Sequence, residues 1–234
     1  MLPLGRGFFA VAALLTATGA VQAADLRISP TRLGFTAQQT VQTLTLSNPG
    51  ATPVLVETAA FDWATSPKSL KATRDLIVSP PIVEVPPQGQ VQLRIGFRPS
   101  SPPQGVCELS YRLWVTEVLR AQQAQAPLRL RTRISLPVFR QVGVGCKPEL
   151  TWSWSPGQVE LSNQGNGHAQ LQELLLVDHR QQWRLQAPPL GYLLPGEQWQ
   201  LRLPEDWRPD AQGKPVLRAQ SRQGAVEAQL ITAP

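Results

Sequence analysis

The sequence predicts an all-β protein with two immunoglobulin-like β-sandwich domains. Short segments rich in Val, Leu, Ile and Thr recur between clusters of Pro, Gly, Asn and Ser, and many of them alternate apolar with polar residues at period two. Helical periodicity is nearly absent. The chain of 234 residues is long enough for two ordinary domains.

The first half contains about seven predicted strands, which is the number and spacing of an immunoglobulin-like sandwich. The segment 41–47 alternates most clearly, and a turn at Asn48-Pro49-Gly50 ends it. We predict that this domain covers residues 24–141. Its predicted strands are 26–28, 41–47, 54–60, 77–85, 91–97, 109–117 and 128–138.

A second all-β series follows a glycine-rich break. Gly143 and Gly145 interrupt the strand pattern and Pro148 opposes its continuation, so we place a hinge at 142–147 and a second domain at 148–234. Its predicted strands are 150–154, 158–162, 170–177, 183–186, 199–203, 215–219 and 225–231.

The second half is rich in tryptophan. A row of exposed indoles would indicate carbohydrate stacking, but alternation points several of these side chains inward, and a small sandwich needs large core residues. We therefore favour a core role for Trp152, Trp154, Trp183, Trp199 and Trp207.

The N-terminus has the three-part pattern of a secretory signal. Arg6 precedes an apolar run at 8–15, and small residues lead to an expected cleavage site between Ala23 and Ala24. The apolar run is shorter than the ~20 residues needed to span a bilayer. We therefore expect residues 1–23 to be removed and the protein to be exported without spanning the membrane.

Several functions find little support in the residues. The net charge of +6 comes from dispersed cations, which argues against nucleic-acid binding. His168 and His179 lie in probable turns, without a nucleophile motif or the compact ligand pairs of a zinc site. A phosphate-binding loop needs a strand-to-helix context. We expect no catalytic residues, metal, nucleotide or other cofactor.

The two cysteines, Cys107 and Cys146, predict a structural disulfide. Export permits the bond, and a reactive Cys-x-x-Cys pair is absent. If the last two strands of the first domain form a hairpin turning near 122–123, Cys107 pairs near Val138 and the chain beyond Phe139 brings Cys146 back.

The segment 128–136 has two sharply different faces. An ordinary sandwich strand with one core face explains this pattern. An edge strand whose apolar face serves another chain also explains it, and cations on the opposite face would discourage wrong pairing. Periodicity leaves both open. The apolar face carries Leu128, Leu130, Thr132, Ile134 and Leu136, and the other carries Arg129, Arg131, Arg133 and Ser135.

Several segments, in order and spacing, resemble the periplasmic pilus-assembly chaperones, particularly their archaic, Csu-like branch. The resemblance covers essentially the whole mature chain. The matching segments are ISPTRLGF at 28–35, LTLSNP at 44–49, PPI at 80–82, GQVQLR at 89–94, YRLWVTE at 111–117, ISLPVF at 134–139 and LSNQGNGH at 161–168.

The resemblance implies a periplasmic chaperone whose two sandwiches, set at an angle, form a cleft that receives a pilus subunit. The apolar face of 128–136 would act as a donor strand in the subunit's hydrophobic groove, and an outer-membrane usher would receive the subunit. In the family an arginine and a lysine bind the subunit's terminal carboxylate. Arg32 matches the arginine, whereas Ser135 stands at the lysine position. Candidate replacements are Arg133, Arg131 and Arg94.

Two other classes are alternatives to this interpretation. An exported adhesive or carbohydrate-binding sandwich would be favoured by a row of exposed tryptophans. An exported hydrolase would need a nucleophile paired with a histidine, and the sequence shows no such pairing.

Overall fold

A computed structural model describes residues 26–63, 70–99, 103–119, 131–178, 181–189, 191–208, 215–221 and 224–231. Every regular element in these residues is a β-strand, which confirms the all-β prediction. The described residues include no helix long and apolar enough to cross a membrane. The expected signal at 1–23 lies outside them.

The first ten strands form two facing sheets, which we call the first sandwich. One sheet has the strand order β1-β3-β8-β6, and the other has the order β2-β10-β9-β4-β5, with β7 paired to β4. The strands are β1 (Arg27–Ser29), β2 (Leu33–Phe35), β3 (Val41–Asn48), β4 (Val54–Asp62), β5 (Lys71–Ala72), β6 (Leu76–Ser79), β7 (Ile82–Val85), β8 (Gly89–Phe97), β9 (Glu108–Val118) and β10 (Arg133–Gln141).

Alternation along each strand builds the core between these sheets. In β3, for example, Leu44 and Leu46 are fully buried while Thr43 points outward. At the end of β3 the buried Asn48 side chain donates to the carbonyls of Thr52 and Val85, and its oxygen accepts from the Gly50 N–H. The predicted turn is therefore present, and the Asn48 side chain satisfies its backbone groups.

The chain departs from the predicted strands where prolines intervene. The segment 77–85 was expected as one strand, but Pro80 and Pro81 divide it into β6 and β7, which belong to opposite sheets. Proline lacks the N–H that a sheet ladder requires. A similar break separates β1, which pairs with β3, from β2, which pairs in parallel with β10.

The remaining strands form the second sandwich, with the order β14-β13-β17-β18-β11-β12-β16 and β15 paired to β13. Strands from both ends of this order contribute to one core, so the sheet folds into two layers. The strands are β11 (Leu150–Ser155), β12 (Gln158–Asn163), β13 (Ala169–Asp178), β14 (Gln181–Leu185), β15 (Tyr192–Leu193), β16 (Gln198–Arg202), β17 (Val216–Ser221) and β18 (Gly224–Leu230).

The tryptophans of the second sandwich are core residues, as predicted. Trp152, Trp199 and Trp207 are buried, and Trp154 and Trp183 are partly buried against the same cluster. The exposed row that would favour a carbohydrate-binding sandwich is therefore not present.

A separate apolar cluster joins the two sandwiches. Trp63 and Phe139 from the first sandwich pack with Tyr192 and Leu194 from the second. We call these four residues the interdomain cluster. Phe139 lies near the end of β10, so the donor-strand candidate leads directly into the contact between the sandwiches.

Candidate functional site

Strand β10 is hydrogen-bonded on both sides only near its C-terminal end. It pairs with β9 from Arg133 to Gln141 but with β2 only from Val138 to Arg140. Among the described strands, none pairs with the other edge of Arg133 to Pro137. A free edge of this kind can add a strand from another chain.

The apolar face of β10 packs inside the first sandwich. Leu136 is 2% exposed, and the partly buried Ile134 packs against the same core. Thr132 is half-buried just before the strand. Ile134 and Leu136 therefore have the core role of an ordinary sandwich strand, which is one of the two interpretations that periodicity left open, because β10 is a strand of its own sheet from Arg133 onward. Leu128 and Leu130 lie outside the described residues.

The outer face of this sheet carries the first anchor candidate. Leu33 and Phe35 of β2 are buried, so Arg32 belongs to the outward-facing set. It is half-buried, and its guanidinium carbon lies 5.2 Å from the centroid of the Phe139 ring. Arg32 therefore lies beside the interdomain cluster, next to the open edge of β10.

The three other candidate arginines are placed differently. Arg131 donates from Nε to the Glu117 carbonyl oxygen at 2.9 Å. Arg133 lies over the Trp114 ring, 4.3 Å from its centroid. Arg94 is exposed on β8, which belongs to the opposite sheet. The structure does not bring Arg94 together with β10, because alternation directs its side chain away from the core that separates the sheets.

Arg112 of β9 is a further cation on this outer face, and it was not among the predicted anchor residues. Its neighbours Tyr111 and Leu113 are buried in the core, so Arg112 points to the outer face. Its guanidinium carbon lies 3.5 Å from the centroid of Trp63 and 5.9 Å from that of Tyr192. The sequence did contain a signal for this residue: Arg112 alternates with the apolar Tyr111 and Leu113 on the strand next to the donor-strand candidate.

Arg112 is only partly solvated. Burial lowers the pKa of its guanidinium from the ordinary value, although arginine stays charged at neutral pH. Its Nη1 atom is buried and has no hydrogen-bond partner among the described residues. Burial also raises the pKa of the Glu197 carboxyl, and the charge of Arg112 opposes that shift. A desolvated cation with an unused donor is suited to receiving an anion.

Arg32 and Arg112 flank the same residue of β10. Arg112 is the register partner of Pro137 on β9, and Leu33 of β2 pairs with Val138. Because β2 and β10 run parallel, Arg32 lies beside Pro137 on the other side. Two interstrand spacings put the backbones of the two arginines about 10 Å apart, so long side chains can converge between them.

His168 was expected to be a surface or turn-stabilising residue, and the structure shows that it follows a turn but does not lie at the surface. It is buried, and its Nδ1 atom lies 2.7 Å from Oε1 of Glu108 at the start of β9. Its ring stacks on Phe139 with centroids 3.5 Å apart. The preceding turn brings His168 back against the first sandwich, which strand patterns alone do not reveal. His179 lies outside the described residues.

The predicted disulfide between Cys107 and Cys146 is present, with Cα atoms 5.6 Å apart. The expected register was wrong: Glu108 pairs with Gln141, and the Cys107 carbonyl accepts from the Val142 N–H at 2.8 Å. Cys107 thus lies opposite Val142 rather than Val138, because the β9–β10 connection is centred later in the chain than 122–123.

Within the described part of the chain, no group of three or more His, Cys, Asp or Glu residues could hold a metal ion.

Comparisons with known proteins agree with this architecture. The structure resembles that of the chaperone CsuC bound to the tip adhesion subunit CsuE from the archaic chaperone-usher Csu pili of Acinetobacter baumannii. The TM-score is 0.65 at 21% identity, over 89% of this chain and 100% of the matched chain. A Pseudomonas aeruginosa chaperone, CupB2, matches with a TM-score of 0.61 at 20% identity, over 88% and 100%.

A third structure, the Salmonella enterica pilin SafA in complex with the chaperone SafB, matches with a TM-score of 0.63 at 18% identity, over 90% of this chain and 96% of the other. At these identities the likeness concerns the fold. No curated protein sequence matches the chain significantly. The family model for pili and flagellar-assembly chaperones, PapD N-terminal domain, matches residues 25–141. This match covers half of the chain, and the protein therefore belongs to the PapD-like family of pili and flagellar-assembly chaperones.

Proposed function

We propose that this protein is a periplasmic chaperone that captures incomplete pilus subunits through the free edge of β10 and the segment that precedes it. A subunit that lacks its last strand exposes an apolar groove. The side chains of Leu128, Leu130 and Thr132 fill that groove, while the backbone of the donor segment completes the subunit's sheet. The open edge beside two outward arginines is the observation that carries this proposal.

The donor segment that we propose, residues 128–132, is shorter than the donor strand 128–136 expected from the sequence. Ile134 and Leu136 hold β10 in the core of the first sandwich, so they support the strand while its earlier residues contact the subunit. Covering about 500 Å² of apolar surface contributes about 12 kcal/mol gross, much of which association and ordering offset. No nucleotide is needed for this binding.

The terminal carboxylate of the subunit binds between Arg32 and Arg112 in the cleft between the sandwiches. Both side chains lie on the outer face and flank Pro137, whereas Ser135, at the family lysine position, is exposed and uncharged. Arg112 is thus our candidate for the second half of the anchor, in place of Arg133 or Arg131. A guanidinium pairs bidentately with a carboxylate and fixes its orientation.

Export and delivery complete the proposal. The signal-like pattern at 1–23 supports export to the periplasm, and the resemblance to chaperone-usher proteins supports delivery to an outer-membrane usher. The second sandwich forms the other wall of the cleft and contacts the first sandwich through the interdomain cluster. The domain division that we propose is 24–141 and 148–234, joined at 142–147.

Co-expression tests this function. A pilus subunit of the same organism should co-purify with the wild-type protein from the periplasm as a one-to-one complex. Arg32→Ala should reduce its yield at least tenfold without changing the melting temperature of the free chaperone, because a buried carboxylate without its cation costs about 2–5 kcal/mol. An unchanged yield with Arg32→Ala would contradict the anchor, and no complex with the wild type would contradict the function.

A further inference from the structure

The segment 163–168 forms a turn organised by one buried asparagine. Asn163 Oδ1 accepts from the N–H groups of Glu149 and Gly165, at 3.1 and 3.0 Å. Its Nδ2 donates to the carbonyl oxygens of Gly167 and Leu193, at 2.9 and 3.1 Å. One side chain thus ties the turn to the residue before β11 and to Leu193 of β15, which lies between two residues of the interdomain cluster.

The same turn holds the hinge by its backbone. Asn166 Oδ1 accepts from the Lys147 N–H at 3.0 Å, and the N–H groups of Asn166 and Gly167 donate to the Lys147 carbonyl. A Cβ atom on Gly165 would lie 2.4 Å from Glu149 N, and one on Gly167 would lie 2.8 Å from Lys147 N. The glycines therefore permit a backbone approach that no other residue allows, which fixes the hinge relative to the second sandwich.

The turn delivers His168 to the first sandwich. The His168 backbone N–H donates to Glu108 Oε1 at 2.9 Å, and the ring Nδ1 lies 2.7 Å from the same oxygen. The two side chains are 6% and 2% exposed. Glu108 follows Cys107, whose disulfide joins it to Cys146 of the hinge. The disulfide next to Glu108 and the turn before His168 therefore hold this buried pair from both sandwiches.

The imidazole of His168 also orders the Phe139 ring, which lies beneath Arg32. It stacks on Phe139 with centroids 3.5 Å apart and ring planes 6° apart, and the Arg32 guanidinium carbon lies 5.2 Å from the centroid of that phenyl ring. A cation over an aromatic face is attracted by the ring quadrupole. A continuous series of contacts thus runs from Glu108 through His168 and Phe139 to Arg32.

We propose that His168 is a positioning residue: by stacking on Phe139 it places the Arg32 guanidinium for the terminal carboxylate of a subunit. The segment 163–168 would then couple the orientation of the second sandwich to the anchor on the first. This inference rests on the proposed function, since it assigns to Arg32 the role of carboxylate ligand. Without the His168 ring, Arg32 keeps its charge, but the Phe139 ring that orients its guanidinium is no longer held in place.

The test measures recognition of the carboxylate itself. The probe is a pilus subunit of the same organism, made with its native C-terminus or extended by two glycines, which displaces the carboxylate. Wild-type chaperone should bind the native form about tenfold or more tightly than the extended form, the scale of a charge-assisted hydrogen bond. His168→Asn keeps a donor for Glu108 but removes the stacked ring, so it should reduce this ratio to the value measured with Arg32→Ala.

Two further variants separate positioning from general support. Phe139→Leu leaves the Glu108–His168 pair and should reduce the ratio to the same extent as His168→Asn. The double variant Glu108→Leu with His168→Phe restores an aromatic stack without burying an unpaired carboxylate, and should recover the ratio lost in His168→Asn. Arg218→Gln, on an exposed pair with Glu227 in the second sandwich, is the matched control.

The outcomes are distinct. If His168→Asn and Phe139→Leu fold and keep the tenfold ratio while Arg32→Ala loses it, the positioning role is overturned and the anchor survives. Equal weakening of both subunit forms would show general structural support and also overturn the positioning role. If the wild type binds both forms equally, the Arg32 anchor fails, and if it binds neither, the chaperone function and the inference fail together.

Discussion

The guanidinium carbon of Arg112 lies 3.5 Å from the centroid of the Trp63 ring, at the contact between the two sandwiches. Trp63 thereby covers a cation that is already partly desolvated by the protein. Cation–π contact offsets part of the desolvation cost, and the unused Nη1 donor remains for a ligand. A charge held in this way has a fixed position before any subunit arrives.

Replacing Arg112 by Met should therefore reduce subunit binding strongly. Met retains apolar volume beside Trp63 but removes the charge, and loss of one partner of a buried charge pair costs about 2–5 kcal/mol, or about 30-fold or more in affinity. Titration of the complex by calorimetry measures the change. Arg94→Met, an exposed arginine on the opposite sheet, is the control, and similar affinities for both variants would exclude Arg112 from the anchor.

A charge introduced into the donor segment should impair subunit binding, whereas a charge introduced into the core part of β10 should impair the stability of the chaperone. Leu128→Asp with Leu130→Asp should leave the melting temperature of the free chaperone unchanged but abolish binding, because the subunit groove offers the carboxylates no partner. Leu136→Asp should destabilise the chaperone itself by several kcal/mol, since Leu136 is 2% exposed in the core.

Thermal melting followed by a co-purification assay distinguishes these cases. If the double variant keeps both its melting temperature and its binding of the subunit, Leu128 and Leu130 do not belong to the donor segment. A double variant that fails to fold would instead assign both leucines to the chaperone's own core.

Removing the disulfide should lower stability. The Cys107–Cys146 bond closes a loop with a sequence separation of 39 residues, for which chain entropy in the unfolded state predicts about 4 kcal/mol. Denaturant unfolding of the Cys107→Ser/Cys146→Ser variant measures the loss. Thiol titration of the denatured, unreduced wild type should find no free thiols, and two free thiols would contradict the bond in the isolated protein.

Stability should fall at alkaline pH because of Tyr111. Burial, more than the nearby Asp75 and Asp62, raises the pKa of this phenol from 10.0 to about 12. Between these values the unfolded chain releases a proton that the folded protein keeps, so the free energy of unfolding decreases by up to about 1.4 kcal/mol per pH unit. Below pH 10 both states hold the proton and this contribution is constant.

Tyr111→Phe lacks this proton, so its stability should decline less steeply from pH 10 to 12. Urea unfolding at each pH, with Tyr192→Phe as a second tyrosine variant, measures the difference. Parallel stability curves for wild type and Tyr111→Phe would contradict the assignment.

The class of fold and most strands can be predicted from the amino-acid sequence alone. Period-two alternation and turn residues are local properties, so the strands of the second sandwich were predicted close to their observed positions, with the exception of β15. Alternation also assigned the tryptophans to the core. The first sandwich was predicted less completely: β2 and β5 were missed, and β10 begins and ends later than the predicted strand 128–138. At 77–85, two adjacent prolines had been included in one strand despite their missing N–H groups.

Which cations lie on one face follows from strand order and register. Arg94 and Arg112 look alike in the sequence, but strand order places them on opposite sheets, and the register of β9 with β10 places Arg112 opposite Pro137. The turn before His168 is visible in the sequence, whereas its contact with Glu108 depends on the packing of the two sandwiches. Such contacts join residues far apart in the chain, and their pairing depends on sheet order, register and the docking of two sandwiches, which local residue patterns do not encode.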